Sequence, residues 1–192
     1  MIEHRFAILF SKEGSNAENL AKEFHDKSFE NVKTSIVCAI TDNKDAKGIE
    51  KLSKFGIKTT IINPKEYASR EEFDQQLVSI IKENNVTLTL LAGFMRILTP
   101  IFTDNIKALN IHPSLLPLHK GANGMKESYE NSMKVAGATV HIVSSELDSG
   151  EIVEQECLKK IENESFEEFK TRVHALEHLL YPKAVRKIVL NR

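Results

Sequence analysis

Apolar and polar positions follow two different periods along the first 112 residues. Phe6-Ala-Ile-Leu-Phe10 is a short unbroken apolar run ending in a turn, the pattern of a buried strand. From Asn16 to Phe24 the apolar residues Ala17, Leu20, Ala21 and Phe24 fall at helical spacing. Val32 to Ile40 is β-branched and reads as a second strand, and Asp45 to Phe55 as an amphipathic helix stopped by Gly56. Lys58-Thr-Thr-Ile-Ile62 is a third strand. Ser69 followed by Glu72 is a capping box that opens a helix through Lys82. A fourth strand is expected over Val86-Thr-Leu-Thr-Leu-Leu-Ala92 and a short fifth over Ala108-Leu-Asn-Ile-His112. The order β-α-β-α-β-α-β-β predicts an α/β protein, with a mostly parallel twisted sheet and helices on both faces.

Beyond residue 112 the rhythm changes. Lys126 to Val135 reads as a helix. Ala138–Val143 and Ile152–Leu158 are strand-like and close in sequence, so they can pair antiparallel at a sheet edge. Ser165 with Glu168 is a second capping box, opening a long helical segment to Val189 that is interrupted by Pro182. No repeat, low-complexity stretch or linker separates the two parts. The change near 112 is read as a change of layer within one domain spanning 1–192.

Composition narrows the function classes. With 41% hydrophobic and 28% charged residues the chain is not disordered as a whole. No apolar run approaches the roughly 20 residues of a membrane span, and Met1-Ile-Glu-His-Arg5 carries no signal-peptide pattern. Cys38 and Cys157 are too few for a disulfide framework and are expected as reduced thiols in a cytoplasmic protein. A net charge of −1 gives no support for nucleic-acid binding, so an anionic ligand would have to be held by a local site.

Four segments could carry chemistry. Ser11-Lys-Glu-Gly14-Ser15-Asn16 lies between the first strand and helix, where small residues and unpaired N–H groups favour an anion. It is neither a Walker A loop nor a full Gly-x-Gly-x-x-Gly fingerprint, and an ordinary βα turn capped by Asn16 or Ser15 is the other reading. Leu91-Ala-Gly93-Phe-Met95-Arg96-Ile97-Leu98-Thr-Pro100 follows the fourth strand, at the sheet edge where open α/β sheets bind ligands. Its apolar side chains suit either a flat pocket or ordinary core. In Asn110-Ile-His112-Pro113-Ser-Leu-Leu-Pro117, Asn110 and His112 point the same way from one strand. An amide that donates to a developing oxyanion beside an imidazole that handles the proton suits acyl or formyl transfer. A structural histidine at a strand end is the alternative. In Glu146-Leu147-Asp148-Ser-Gly150, Asp148 could orient His112, or the segment could be an Asx turn with Gly150 at positive φ. His174 and His178 stand four apart on a helix but have no third ligand, so no metal site is expected.

These segments, in order and spacing, resemble the signatures of the phosphoribosylglycinamide formyltransferases, folate-dependent enzymes of purine synthesis. The resemblance extends to Gly14-Ser15-Asn16, Ala138-Thr-Val-His141 and Glu177, and so covers nearly the whole chain. It implies a Rossmann-like formyltransferase fold and a formyl group moved from 10-formyltetrahydrofolate, as co-substrate, to glycinamide ribonucleotide. It implies Asn110, His112 and Asp148 as the catalytic set, Gly14, Ser15 and Asn16 at the phosphate, and Glu177 on the ribose hydroxyls. Met95, Arg96, Ile97 and Leu98, with Glu146 and Leu147, would wall the pterin pocket, and Arg70 would lie near the folate glutamate tail. Neither metal, nucleic acid nor membrane is called for, and a homodimer is left open.

Two departures concern the substrate side. After Pro117 the family usually has Lys-Tyr-Pro-Gly and one or two histidines, whereas this chain reads Leu118-His119-Lys120-Gly121-Ala122-Asn123-Gly124. Lys12-Glu13 stands where the family tends to a small residue. Formyltetrahydrofolate deformylases share the motif, including a Gly-Ala segment, but normally carry an N-terminal regulatory domain and differ at Pro113 and Leu115. Methionyl-tRNA formyltransferases would need an extra C-terminal domain and a more basic surface. A non-catalytic folate or nucleotide binder would have no need of Asn110, His112 and Asp148 together.

Overall fold

The computed structural model describes residues 1–190 and divides into two compact units, the first being Met1–Leu109 and the second beginning at Asn110. The reading of one domain over 1–192 extends to Asn191 and Arg192, which lie outside the described residues.

In the first unit the elements run β1 (Ile2–Phe10), α1 (Ser15–Phe24), β2 (Lys27–Phe29), β3 (Val32–Thr41), α2 (Gly48–Ser53), β4 (Thr59–Ile61), α3 (Arg70–Glu83), β5 (Leu88–Leu91) and α4 (Pro100–Thr103). A 3-10 turn occupies Pro64–Glu66. Strand β6 (Ala108–His112) crosses the division between the units. The strand β1 pairs parallel with β3, from Ile2↔Val32 to Phe10↔Thr41, and parallel with β5. β4 lies parallel to β3, and β2 pairs with β3 antiparallel. Phe6 to Phe10 are all inaccessible to solvent, as an unbroken apolar run requires of a central strand. The predicted parallel α/β sheet is present; β1 extends beyond its apolar run because pairing with β3 recruits polar residues such as Glu3 and Lys33, while β4 and β5 are shorter than expected.

The second unit holds the end of β6, then α5 (Gly124–Glu130), β7 (Val135–Ile142), β8 (Ile152–Lys159) and α6 (Phe166–Val189). β7 and β8 pair antiparallel, Val135↔Lys159 through His141↔Ile152, with β8 at the edge as expected. Ala136 of β7 and Phe169 and Val173 of α6 form a buried cluster extended by Met125, Tyr129, Leu158 and Phe166.

Several boundaries differ from the sequence reading. The helix expected over Asp45–Phe55 is confined to Gly48–Ser53. The one expected over Lys126–Val135 ends at Glu130, because Val135 opens β7. α6 runs through Pro182 without interruption. Proline removes one hydrogen bond, but Tyr181, Ala184 and Val185 beside it are fully buried and keep the helix in place. At Ser165 the capping box closes both ways. At Ser69 the hydroxyl accepts from Glu72 N, while the Glu72 carboxylate reaches Ala68 N, one residue too early for a closed box. Among the described residues no helix is long and apolar enough to cross a membrane.

Candidate active site

The last residues of β6 deliver Asn110 and His112 to one side of the second unit. His112 is 6% exposed, and both ring nitrogens face oxygen atoms. Nδ1 lies 3.5 Å from Oδ2 of Asp148, and Nε2 lies 2.8 Å from the carbonyl oxygen of His119. A carbonyl only accepts, so Nε2 carries a hydrogen. Asn110 Nδ2 lies 3.1 Å from Nε2 of His141, whose Nδ1 faces the Ile142 carbonyl at 3.0 Å. The same Nε2 is 3.6 Å from Oδ1 of Asp148. In its neutral form His141 therefore accepts from the Asn110 amide; when charged it can donate to the carboxylate.

Asp148 is the hub. It sits in left-handed backbone, φ 49°, and its Oδ2 also accepts from Gly121 N at 2.8 Å. Burial pushes its carboxyl group up. Hydrogen bonds from His141 and Gly121 and the two imidazoles outweigh that, so it titrates below the ordinary carboxylate value. The carboxylate is thus kept ionised beside the rings it orients.

Polar contacts hold the Pro113–Leu118 turn. Ser114 Oγ donates to Leu118 O at 2.6 Å. Thr139 Oγ1 donates to Ser114 O at 2.7 Å and accepts from Leu116 N at 3.1 Å. Gln155 Nε2 donates to Leu116 O and to Thr139 Oγ1. Lys120 Nζ meets Ser149 Oγ and lies 3.6 Å from Glu146, tying the turn to the Asp148 loop. Two glycines make room. A Cβ on Gly124 would lie 2.6 Å from His112 Nε2 and 2.5 Å from His119 O. One on Gly150 would lie 1.7 Å from Ile142 O. Gly150 is therefore needed for close approach and not for positive φ, which occurs at His119, Gly121 and Asp148 instead.

The remaining residues from the sequence reading fall as follows. Glu146 and Leu147 are exposed on the Asp148 loop. Glu177 is 3% exposed, which removes it from a solvated helix face, and it accepts from His174 Nδ1 at 2.8 Å. In the first unit Gly14, not Ser15 or Asn16, is the N-cap of α1. It is left-handed with φ 65° and makes no side-chain cap bond. A Cβ on Gly14 would lie 2.5 Å from Gly48 Cα, so its close approach is to α2. Ser15 is half-buried and Asn16 buried. Ser11 Oγ accepts from Met95 N at 2.8 Å, joining the loop after β1 to the loop after β5. Along that second loop burial alternates: Phe94 and Leu98 are buried, Met95 and Ile97 more than half exposed. Arg96 lies over the Phe73 ring at 5.6 Å, and Thr99 N donates to Asp74 Oδ2 at 2.5 Å. Arg70 is exposed at the start of α3.

The structure thus gathers Asn110, His112 and Asp148 in one unit. It adds His141, Thr139, Gln155 and the His119 carbonyl, which sequence reasoning did not assign to the site. Thr139 and His141 stand two apart on β7 and so share a face, a signal that was available. Among the described residues no group of three or more His, Cys, Asp or Glu could hold a metal ion.

The model of the formyl transferase family matches residues 4–185. The chain belongs to the formyl transferase family. This family member is 32% identical over 187 residues to the phosphoribosylglycinamide formyltransferase of Bacillus subtilis (strain 168), covering 96% of this chain and 94% of that protein. It is 38% identical over 186 residues to the trifunctional purine biosynthetic protein adenosine-3 of Chironomus tentans, covering 96% of this chain but 14% of that protein. It likewise spans 18% of the length of the human protein of that name, at 36% identity. The crystal structure of phosphoribosylglycinamide formyltransferase from Campylobacter jejuni superposes with a TM-score of 0.95 at 52% identity, covering 97% of this chain and 98% of that one. A formyl transferase needs hydrogen-bond donors for an oxyanion and a route for one proton, and the half-buried Asn110 amide with the buried imidazoles and carboxylate can supply both.

Proposed function

We propose that this chain transfers the formyl group of 10-formyltetrahydrofolate to the primary amine of glycinamide ribonucleotide, a step of purine biosynthesis. The observation that carries the reading is the Asn110–His112–Asp148 cluster, with His112 and Asp148 buried, in a formyl transferase family member. The neutral amine attacks the formyl carbon. A nitrogen–carbon bond forms and the carbonyl electron pair moves to oxygen. Asn110 Nδ2 donates to that oxygen, and the protonated His112 ring, its two nitrogens turned to Asp148 and the His119 carbonyl, stabilises it by positive charge. The bond to the folate nitrogen then breaks, one proton leaves the amine, and one is gained by the departing nitrogen. Asp148 holds His112 and offsets its positive charge while the oxyanion exists.

The binding residues follow the family resemblance. Backbone at Gly14–Asn16 takes the phosphate, where α1 begins. Glu177, a buried carboxylate, accepts from the ribose hydroxyls. The exposed side chains of Met95 and Ile97, with Arg96, Leu98, Glu146 and Leu147, contact the pterin, and Arg70 the glutamate tail. We assign the protein to the cytoplasm and to one domain, and leave a homodimer as its simplest assembly.

The test is donor turnover with and without glycinamide ribonucleotide, followed by release of tetrahydrofolate. Turnover that requires the amine supports the reading. Rapid loss of donor unchanged by the amine would make the protein a hydrolase, and tight binding without turnover a binder.

A further inference from the structure

The segment where this sequence departs from the formyltransferase pattern supplies the acceptor for His112. His119 occupies left-handed backbone, φ 56°, and its carbonyl receives the His112 Nε2 hydrogen at 2.8 Å. Its imidazole is gripped on both sides. Nδ1 lies 3.4 Å from Glu127 Oε2, and Nε2 lies 2.9 Å from Asn131 Nδ2. Glu127 lies in α5 and Asn131 is its C-cap residue. A seven-residue helix has little stability of its own. This one is braced at its C-terminal end, where Lys160 Nζ donates to the carbonyls of Ser128, Tyr129 and Asn131 at 3.1, 2.6 and 2.7 Å. The Tyr129 hydroxyl adds a bond to Glu164 O. Gly124 N, at the start of α5, donates back to Gly121 O, and Gly121 N donates to Asp148.

We propose that His119 is a positioning residue for formyl transfer. Its imidazole, held by Glu127 and Asn131, aims its own carbonyl at His112 Nε2 and so fixes the ring with Nδ1 toward Asp148. Without that acceptor the ring could flip or present the wrong nitrogen, and the Asp148 pairing would be lost. The proposal rests on the reading that His112 serves formyl transfer.

Three variants of the full chain test it. His119→Gly relieves the positive φ and removes the grip, so it separates backbone strain from side-chain positioning. His119→Gln keeps the grip, since the amide offers one donor to Glu127 and one acceptor to Asn131. Glu127→Ala removes a partly exposed partner and leaves the core intact. Steady-state kinetics are read beside nitrogen NMR of histidine-labelled protein, with the His112 signals assigned by their loss in His112→Gln. In His119→Gly kcat falls by about tenfold, the effect of one lost hydrogen bond, with both KM values held within about twofold. The His112 Nε2 hydrogen, slow to exchange in the parent and in His119→Gln, becomes fast. Glu127→Ala moves both readouts the same way by a smaller amount. Unchanged kcat and His112 signals in His119→Gly would overturn the proposal. So would a loss in His119→Gln as large as in His119→Gly. The ring signals need no substrate, so they decide the proposal even if the parent fails to transfer formyl groups.

Discussion

Asp148 adopts a left-handed backbone to place one oxygen near each of two imidazoles, His112 at 3.5 Å and His141 at 3.6 Å. Both charge and shape matter there, and Asp148→Asn keeps the shape alone. We expect kcat to fall by about 10²–10³, the usual cost of removing an electrostatic group used in the transition state, with little change in KM. A variant within about threefold of the parent would take Asp148 out of the mechanism. The same carboxylate titrates below its ordinary 3.8. Its contribution to stability is therefore fully present above that value and is lost as pH falls through the lower native one. Denaturant unfolding between about pH 2 and 6 should show a shallower acid limb in Asp148→Asn than in the parent. Glu177 is a second buried carboxylate with a different assignment. Ribose hydroxyls do not change during formyl transfer, so their contact is equal in ground and transition states. Glu177→Ala should raise KM for glycinamide ribonucleotide by roughly 10–100-fold, from a charge-assisted contact of about 1.5–3 kcal/mol, and leave the donor KM unaltered. Separate titrations of the two substrates check this, and an unmoved nucleotide KM would withdraw the ribose role.

At the scale of elements, loops are held by contacts that a single atom can disturb. Gly124→Ala would drive a methyl group to 2.6 Å from His112 Nε2. We expect loss of most activity in a protein that remains folded, measured by kcat beside circular dichroism. The loop after β5 is anchored to α3 through Asp74, whose carboxyl group is pushed up by burial and pulled back by the Thr99 hydrogen bonds. Asp74→Ala should free that loop and raise KM for the formyl donor severalfold, with KM for the nucleotide unmoved. Equal effects on both would mean that the anchor serves stability in general. The two N-caps offer a stability comparison. Ser165→Ala breaks a box closed on both sides and should cost about 1 kcal/mol in denaturant unfolding. Ser69→Ala loses only one arm, since Glu72 is bonded to Ala68 N, and should cost less.

For the whole molecule, a net charge of −1 supplies no field for steering an anion, so the proposed nucleotide would have to be held by local groups. The parallel strand β1 was legible as an apolar run, because a stretch buried on both faces has no polar side to hide the pattern, and β3 from its β-branched residues. The antiparallel pairing of β7 and β8 was legible from their short separation. The short elements were not: β2 has three residues and α4 four, too few to show a period, and pairing or packing defines them. Pro182 misled because local propensity predicts a break, while burial of its neighbours keeps α6 whole. Asn110 and His112 were readable together because two residues on one strand share a face. Asp148 could be named as a partner only as one of two readings, since residues 36 positions apart meet only through the fold. Local order along the chain therefore determined the α/β class, most strands and the residue types of the site, because period and spacing are properties of neighbouring residues. Tertiary structure alone decided that His141 joins the cluster, that the His119 carbonyl faces His112, and that Gly124 and Gly150 must lack a side chain. Those facts depend on distances between segments remote in sequence, which no local pattern encodes.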